Sequence, residues 1–143
     1  MEKKVVGIVE RVTLVGNKKV KTYAVFDTAA NMTSIDTKLA SEAQVGSAIR
    51  TASIKNPSTK ARTNRPVVKV RLDIGGKTYT CEANMQDRSH MTARMIIGRD
   101  VLVGNFVVDP EKNLKKFQSM QEKKNNPEGT GPVSTDCFSN GNG

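Results

Sequence analysis

One stretch of this chain leaves little freedom in what it can become. The run VVKVRLDI (67–74) alternates apolar and charged side chains, and KTYTCEANM (77–85) follows after only Gly75 and Gly76. A period of two puts Val68, Val70, Leu72 and Ile74 on one face and Lys69, Arg71 and Asp73 on the other. Two glycines between such runs suit the two-residue turn of a β-hairpin, whose central positions need positive φ. The same glycines, with Lys77 and Thr78, look like the end of a phosphate-binding loop. That loop requires a glycine at position 71 and a helix after the lysine; position 71 is Arg and the following residues are β-patterned. The fragment is a hairpin turn.

The rest of the chain also reads as short strands. Val-rich residues 4–9 and 11–15 are broken at Gly7, the turn GNKK follows at 16–19, and Val20–Phe26 is a second β-type run. These predict a hairpin whose far strand runs directly into Asp27. Residues 35–45 fit a short helical turn or a strand before Gly46. The segment SIKNPSTKARTNRP (53–66) is polar, basic and bounded by proline, which predicts an exposed loop or a mobile hairpin tip. ARMIIGRDVLVGNFVVDP (93–110) predicts a buried strand, a break at Gly98, a short turn and a last strand, Phe106–Val108. PEKNLKKFQSMQEKK starts with proline and an early acid and ends in lysines. This predicts an amphipathic helix over 111–124, with Leu114, Phe117 and Met120 on its inner face. Residues 125–143 have the composition of a polar, flexible tail.

With 143 residues, the chain is expected to form one core-bearing domain over 1–110, followed by that helix and tail. Apolar residues make up 36%, there is no Trp, and only four Phe and two Tyr, so the core falls to Val, Ile, Leu and Met. No apolar run approaches the roughly 20 residues of a membrane span, and charges flank the first apolar run, unlike a signal peptide. A cytoplasmic protein is expected, or a virion-associated one if it is a phage component. The formal charge of +9 is dispersed along the chain. Several lysines fall at alternating strand positions or on the terminal helix. With few aromatic platforms and no nucleic-acid motif, the charge reads as a solvated basic face; this argues against a nucleic-acid partner and leaves an acidic partner open. Cys81 and Cys137 are too few for a disulfide framework and read as reduced thiols. His90 is the sole histidine, and no set of zinc ligands at sensible spacing accompanies it. No metal and no cofactor are expected. Met85, Met91 and Met95 read as core filling near a strand junction.

That leaves the aspartate delivered to a strand end in YAVFDTAANMTSID. Taken alone, Asp27-Thr28 fits an Asx-type turn as well as it fits a catalytic mount. A second segment, MIIGRDVL (95–102), shifts the balance. Together the two resemble the retropepsins, half-size aspartic proteases in which a hydrophobic strand enters Asp-Thr-Gly-Ala and a later Ile-Ile-Gly-Arg passes beside that loop. The stretches VGIVERVTL, FDTAANMTSID and YTCEANMQDRSHMTARMIIGRDVLVGNFVVDP are similar to a bacterial and phage retropepsin-like group often labelled ATP-dependent zinc protease. The resemblance covers about residues 5–110, and no residues here support the zinc or the ATP of that label.

The resemblance implies a mainly β, closed-barrel half of retropepsin type with a short C-terminal helix. It implies an aspartic endopeptidase acting on protein or peptide substrate. Asp36-Thr37 and Asp136 are not placed as a second mount, so activity would require a homodimer in which Asp27 of each copy meets on a two-fold axis. Thr28 would cross-link the paired loops and the Ala29 amide would hold the carboxylate. Ile96, Ile97 and Gly98 would pack the loop from behind, and Arg99 would brace it. Lys55, Asn56, Pro57 and Lys60 would belong to the flap. Two positions depart from the pattern: Ala29 replaces a glycine, and Asn31 replaces the acid that pairs with the bracing arginine in viral enzymes. Both leave open a non-catalytic module of the same fold that serves in assembly.

Overall fold

A computed structural model describes residues 2–56 and 58–125. Its strands are β1 (Lys4–Val6), β2 (Val9–Val15), β3 (Lys19–Phe26), β4 (Ser34–Asp36), β5 (Arg50–Lys55), β6 (Arg62–Ile74), β7 (Lys77–Gln86), β8 (Met95–Ile97) and β9 (Phe106–Val108). The helices are α1 (Thr37–Ala43), α2 (Arg99–Leu102) and α3 (Leu114–Asn125).

The Gly75–Gly76 hairpin is the longest ladder, running from Ile74 opposite Lys77 to Val67 opposite Asn84. Both glycines have positive φ, 59° and 84°, as a two-residue turn between twisted strands requires. Val68, Val70, Leu72 and Ile74 are all buried, whereas Lys69 and Arg71 are exposed. The second hairpin, β2–β3, docks on the first through Thr13 to Val15 of β2. Short β8 then runs parallel to β3, β4 lies antiparallel to β8, and β4 runs parallel to β7. Passing from β2 through β3, β8, β4, β7 and β6 back to β2 closes a barrel, with β5 extending the sheet beyond β6. The fold is mainly β with a short C-terminal helix, and closure leaves few open edges among its central strands.

The interior is aliphatic, with Val12, Leu14, Ile35, Leu72, Met95 and Ile97 all fully buried or nearly so. Three aromatic rings gather at one end, where Phe26 meets Phe106 edge-on at 5.7 Å and Tyr79 meets Phe106 at 5.2 Å. Met95 belongs to this core, whereas Met85 and Met91 are only half-buried. Cys81 is a free thiol, and burial, reinforced by the nearby Asp100 charge, pushes its pKa up to about 12. Cys137 lies outside the described residues, as do residues 126–143 of the expected tail.

Three expectations need revision. Residues 4–6 do not join the first hairpin; Gly7 breaks the strand and β1 pairs in parallel with β9. A Cβ at Gly7 would stand 2.2 Å from the Lys112 carbonyl oxygen, so the close crossing of the C-terminal turn depends on glycine. Of the two readings of 53–66, the hairpin holds and the loop does not: Ser53 stands opposite Asn64 and Lys55 opposite Arg62, and among the described residues only Asn56 and 58–61 lie beyond the ladder. Finally, the helix starts at Leu114 and not at 111. Asp109 captures the Glu111 amide through its side chain (2.9 Å) and Asn113 adopts φ 60°, which turns the chain before a helix can start. Leu114 is consequently 38% exposed, and no residue of α3 is fully buried.

Candidate functional site

Asp27 follows the last residue of β3. Its amide donates to the Ile97 carbonyl (2.9 Å), and its carbonyl accepts from Ala30 (3.2 Å). Carboxylate Oδ1 accepts from the Ala29 amide at 2.9 Å. Among the described residues Oδ2 accepts no hydrogen bond. The Asx turn offered by Asp27-Thr28 is formed: it occupies one carboxylate oxygen and leaves the other free. Ala29 is not among the residues with positive φ, so its methyl is accommodated and its amide still donates.

The segment after β8 clamps this loop from behind. Arg99 donates from its amide to Ala30 O (2.8 Å) and from Nη1 to Thr28 O (3.0 Å), and Nη2 donates to Asn31 Oδ1. Gly98 approaches so closely that an added Cβ would lie 2.6 Å from the Met32 carbonyl carbon. Two residues that the sequence reading left without a role complete the clamp. Fully buried Thr33 donates its amide to both oxygens of Asp100 (3.1 Å each) and its hydroxyl to Oδ1 (2.9 Å), while the same hydroxyl accepts from Gly98 N (3.2 Å). Thr28 is exposed beside Asp27. Ile96 and Ile97 stand opposite Val25 and Phe26 in the β3–β8 ladder.

Asp36 takes a different role. It caps α1 and is 3% exposed, accepting from Arg88 N (2.8 Å), Leu39 N (3.3 Å) and Arg94 Nη2 (3.3 Å). Burial pushes its carboxyl up, but those two amides and the Arg94 guanidinium together outweigh burial and hold it below the usual carboxylate range. This acid is consumed by the fold.

A cleft of about 450 Å³ opens beside the Asp27 loop. Ala29–Met32 form one wall, Ser53–Lys55, Arg62 and Arg65 of the β5–β6 hairpin form the other, and Ser34, Asn84, Gln86 and Arg88 lie between. Arg88 is 5% exposed and its Nε donates to Ala93 O (3.0 Å). Gln86, with its amide oxygen turned inward, accepts from Arg88 Nη1 (3.3 Å) and Arg65 Nη1 (3.2 Å). Arg65 also donates to Asn84 Oδ1 at 3.2 Å. Burial first and the neighbouring Arg65 charge second pull the Arg88 pKa below the ordinary guanidinium value, with Asp36 and Asp27 acting in the opposite sense. Among the described residues none of Arg62, Arg65 and Arg88 has a carboxylate ion-pair partner. The sequence marks Arg62 and Arg65 only as part of the basic stretch 53–66; Arg88 comes from a separate segment and joins them through the β6–β7 register.

The candidate flap is the tip of the β5–β6 hairpin. Asn56 organises it, accepting at Oδ1 from Ser58 N (2.8 Å) and Thr59 N (3.2 Å). Lys55 lines the cleft, Lys60 is exposed with φ 63°, and Pro57 lies outside the described residues. His90 is exposed in a separate loop that shares a pocket with Met120 of α3.

Comparison with known proteins gives a consistent picture. A family model described as RimB-like, retropepsin-like aspartic endopeptidase RimB, matches residues 34–119, a span that starts after Asp27 and includes the Gly98–Asp100 clamp. No curated protein matches the chain. Among solved structures, a Legionella pneumophila protein of unknown function has a TM-score of 0.54 and 22% identity, covering 76% of this chain and 95% of that one. That likeness shows the fold. The simian foamy virus (mac) protease has a TM-score of 0.49 and 14% identity, covering 66% of this chain and 90% of that one.

Proposed function

The chain belongs to the RimB-like family of retropepsin-like aspartic endopeptidases, and on that premise we propose that it hydrolyses peptide bonds as a homodimer. Asp27 of each copy supplies one half of a carboxylate pair. Two carboxylates about 3 Å apart share one proton, because both cannot stay ionised at that separation. The ionised member takes a proton from a bound water as that water attacks the peptide carbonyl. The protonated member donates to the carbonyl oxygen, and collapse of the tetrahedral intermediate with proton transfer to nitrogen breaks the C–N bond. The observation that carries this reading is the division of labour on Asp27: Oδ1 is held by Ala29 while Oδ2 is unoccupied.

The cleft indicates which peptides fit. Three guanidiniums without carboxylate partners favour a substrate that brings its own carboxylates. The hairpin supplies a strand against which an extended peptide can pair.

The test is cleavage of an unstructured, acid-rich protein across pH 3–7, with and without a statine-type inhibitor. Asp27→Asn keeps an acceptor for Ala29 and so keeps the loop, but it removes the shared-proton chemistry. Cleavage should fall by at least about 1,000-fold. Equal activity in wild type and Asp27→Asn would refute the mechanism. The second reading, a non-catalytic module, draws on Asn31, which gives Arg99 a neutral hydrogen-bond partner where the viral pattern has an acid; it predicts a dimer that cleaves nothing at any of these pH values.

A further inference from the structure

Sheet register gathers charge that is scattered along the sequence. On the outer face of the barrel Lys19 stands opposite Val15 and Val15 opposite Arg71, and the next row runs Lys21, Thr13, Asp73. On β7, Thr80 faces Arg71 and Glu82 faces Lys69. Lys19, Lys21, Lys69 and Arg71 are all exposed, whereas Val12, Leu14, Val70 and Leu72, at the alternate positions, are buried. Cations two residues apart on a strand lie about 7 Å apart, and the rows of β3 and β6, two strand spacings apart, lie about 10 Å apart. Among the described residues none of the four forms an ion pair. The carboxylates of this face are engaged: Glu82 pairs with Arg50 (2.9 Å), and Asp73 accepts from the Thr78 hydroxyl (2.9 Å). A shallow depression of about 470 Å³ lies between Val15, Lys69, Arg71 and Thr80.

The mount is rigid and flat. The β2–β3 turn lies on the end of α1, where Asn17 donates its amide to Gln44 O (3.1 Å) and Lys18 donates its amide to Ala43 O (3.0 Å). Strands β2, β3 and β6 are paired on both sides. No open edge is left there for an extended peptide, so recognition falls to side chains. Tyr23, the next outward residue of β3, already carries the Arg11 (5.3 Å) and Lys116 (4.2 Å) cations, so the face offers no free ring for base stacking.

We propose that this face docks double-stranded RNA through its phosphate backbone. A repeated array of cations without base-reading groups suits a ligand whose anions repeat. A flat sheet with no projecting helix or ribbon does not enter the deep major groove of B-DNA. The wide, shallow minor groove of an A-form duplex lies open to it, and the Thr80 hydroxyl beside Arg71 can bond a 2′-hydroxyl. None of the four cations lines the Asp27 cleft. Docking and cleavage are therefore separate, and the proposal stands whether or not the chain is a protease.

Fluorescence anisotropy of a labelled, mixed-sequence RNA duplex, titrated with the full chain, tests this. For four phosphate contacts the logarithm of the binding constant should fall with log salt at a slope of about −3 to −4. Lys19→Gln combined with Arg71→Gln should weaken binding at least about 10-fold at about 0.1 M salt and reduce the slope by about 2, with the melting temperature unchanged. Lys123→Gln combined with Lys124→Gln removes the same charge from the end of α3 and should leave the affinity within about two-fold. A DNA duplex of the same sequence should bind at least about 5-fold more weakly. Equal losses from the two double variants would reduce the effect to net charge and overturn the face. Equal affinity for the DNA duplex overturns the choice of RNA. A polyaspartate chain of matched charge that binds this face more tightly than the RNA makes the partner an acidic protein instead. Absence of binding at about 50 mM salt, where backbone contacts are strong, ends the proposal.

Discussion

Asp27 and Asp36 lie nine positions apart and show how one residue type serves two ends. Asp27 gives one oxygen to its own loop, whereas Asp36 has both oxygens occupied by amides and a guanidinium. The second arrangement couples stability to pH. The folded-state pKa of Asp36 lies below its unfolded value of about 3.8. Its contribution is therefore complete above that value and is lost as the pH falls through the lower, folded-state pKa. Asp36→Asn should lower the melting temperature at pH 5–7, costing about 1–3 kcal/mol. The gap to wild type should narrow below about pH 3.8. A gap that stays constant down to about pH 2.5 would show that the charge contributes nothing. Ala29 supports a second test at this scale. Its backbone lies outside the positive-φ region, so Ala29→Gly should leave cleavage within a few-fold and lower stability by about 0.5–1 kcal/mol through the freer unfolded chain. A large gain in activity would mean that the methyl obstructs the paired loops.

At the scale of elements, legibility followed how local the determinants are. The β6–β7 hairpin was plain because alternation and the two turn glycines are contiguous in sequence, and the end of β3 was plain for the same reason. The C-terminal helix was placed too early because Pro110 and Glu111 have the composition of a first turn. The Asp109 side chain decides otherwise by taking the Glu111 amide. The strand and helix over 34–43 were undecidable from pattern alone, since Asp36 ends the strand and caps the helix in one residue. Of the candidate site, Asp27 and the Gly98-Arg99 turn carried a signal, whereas Thr33 and Arg88 carried none. Thr33 depends on Asp100, 67 positions away, and Arg88 donates to the same Gln86 oxygen as Arg65, 23 positions away. The Gly98 turn gives a prediction proper to elements. Because a Cβ there would meet backbone of Met32 and not a movable side chain, Gly98→Ala must separate β8 from the Asp27 loop. It should cost several kcal/mol or prevent folding, as read by thermal denaturation, where Ile96→Val should cost only about 1 kcal/mol. A wild-type melting temperature for Gly98→Ala would mean that the clamp is slack.

For the whole molecule, the +9 charge and the arginine-lined cleft bear on the same question of substrate. Dispersed surface charge raises the encounter rate with any polyanion, and that contribution is screened over about 8–10 Å at ordinary ionic strength. Arg88 differs because it is almost wholly buried, so salt screens it weakly. Surface steering and recognition in the cleft can therefore be separated. For an acid-rich peptide, raising salt from 50 to 500 mM should reduce kcat/KM by lowering the association rate, and a neutral peptide should show little change. Arg88→Met, which fills similar volume without charge, should lower kcat/KM for the acidic peptide by about 10- to 100-fold at either salt concentration while sparing the neutral one. An equal loss on both peptides would make Arg88 a structural support for the cleft. A loss that vanishes in high salt would place its effect on the surface field. Only a deficit that persists at high salt and follows substrate charge assigns Arg88 to recognition.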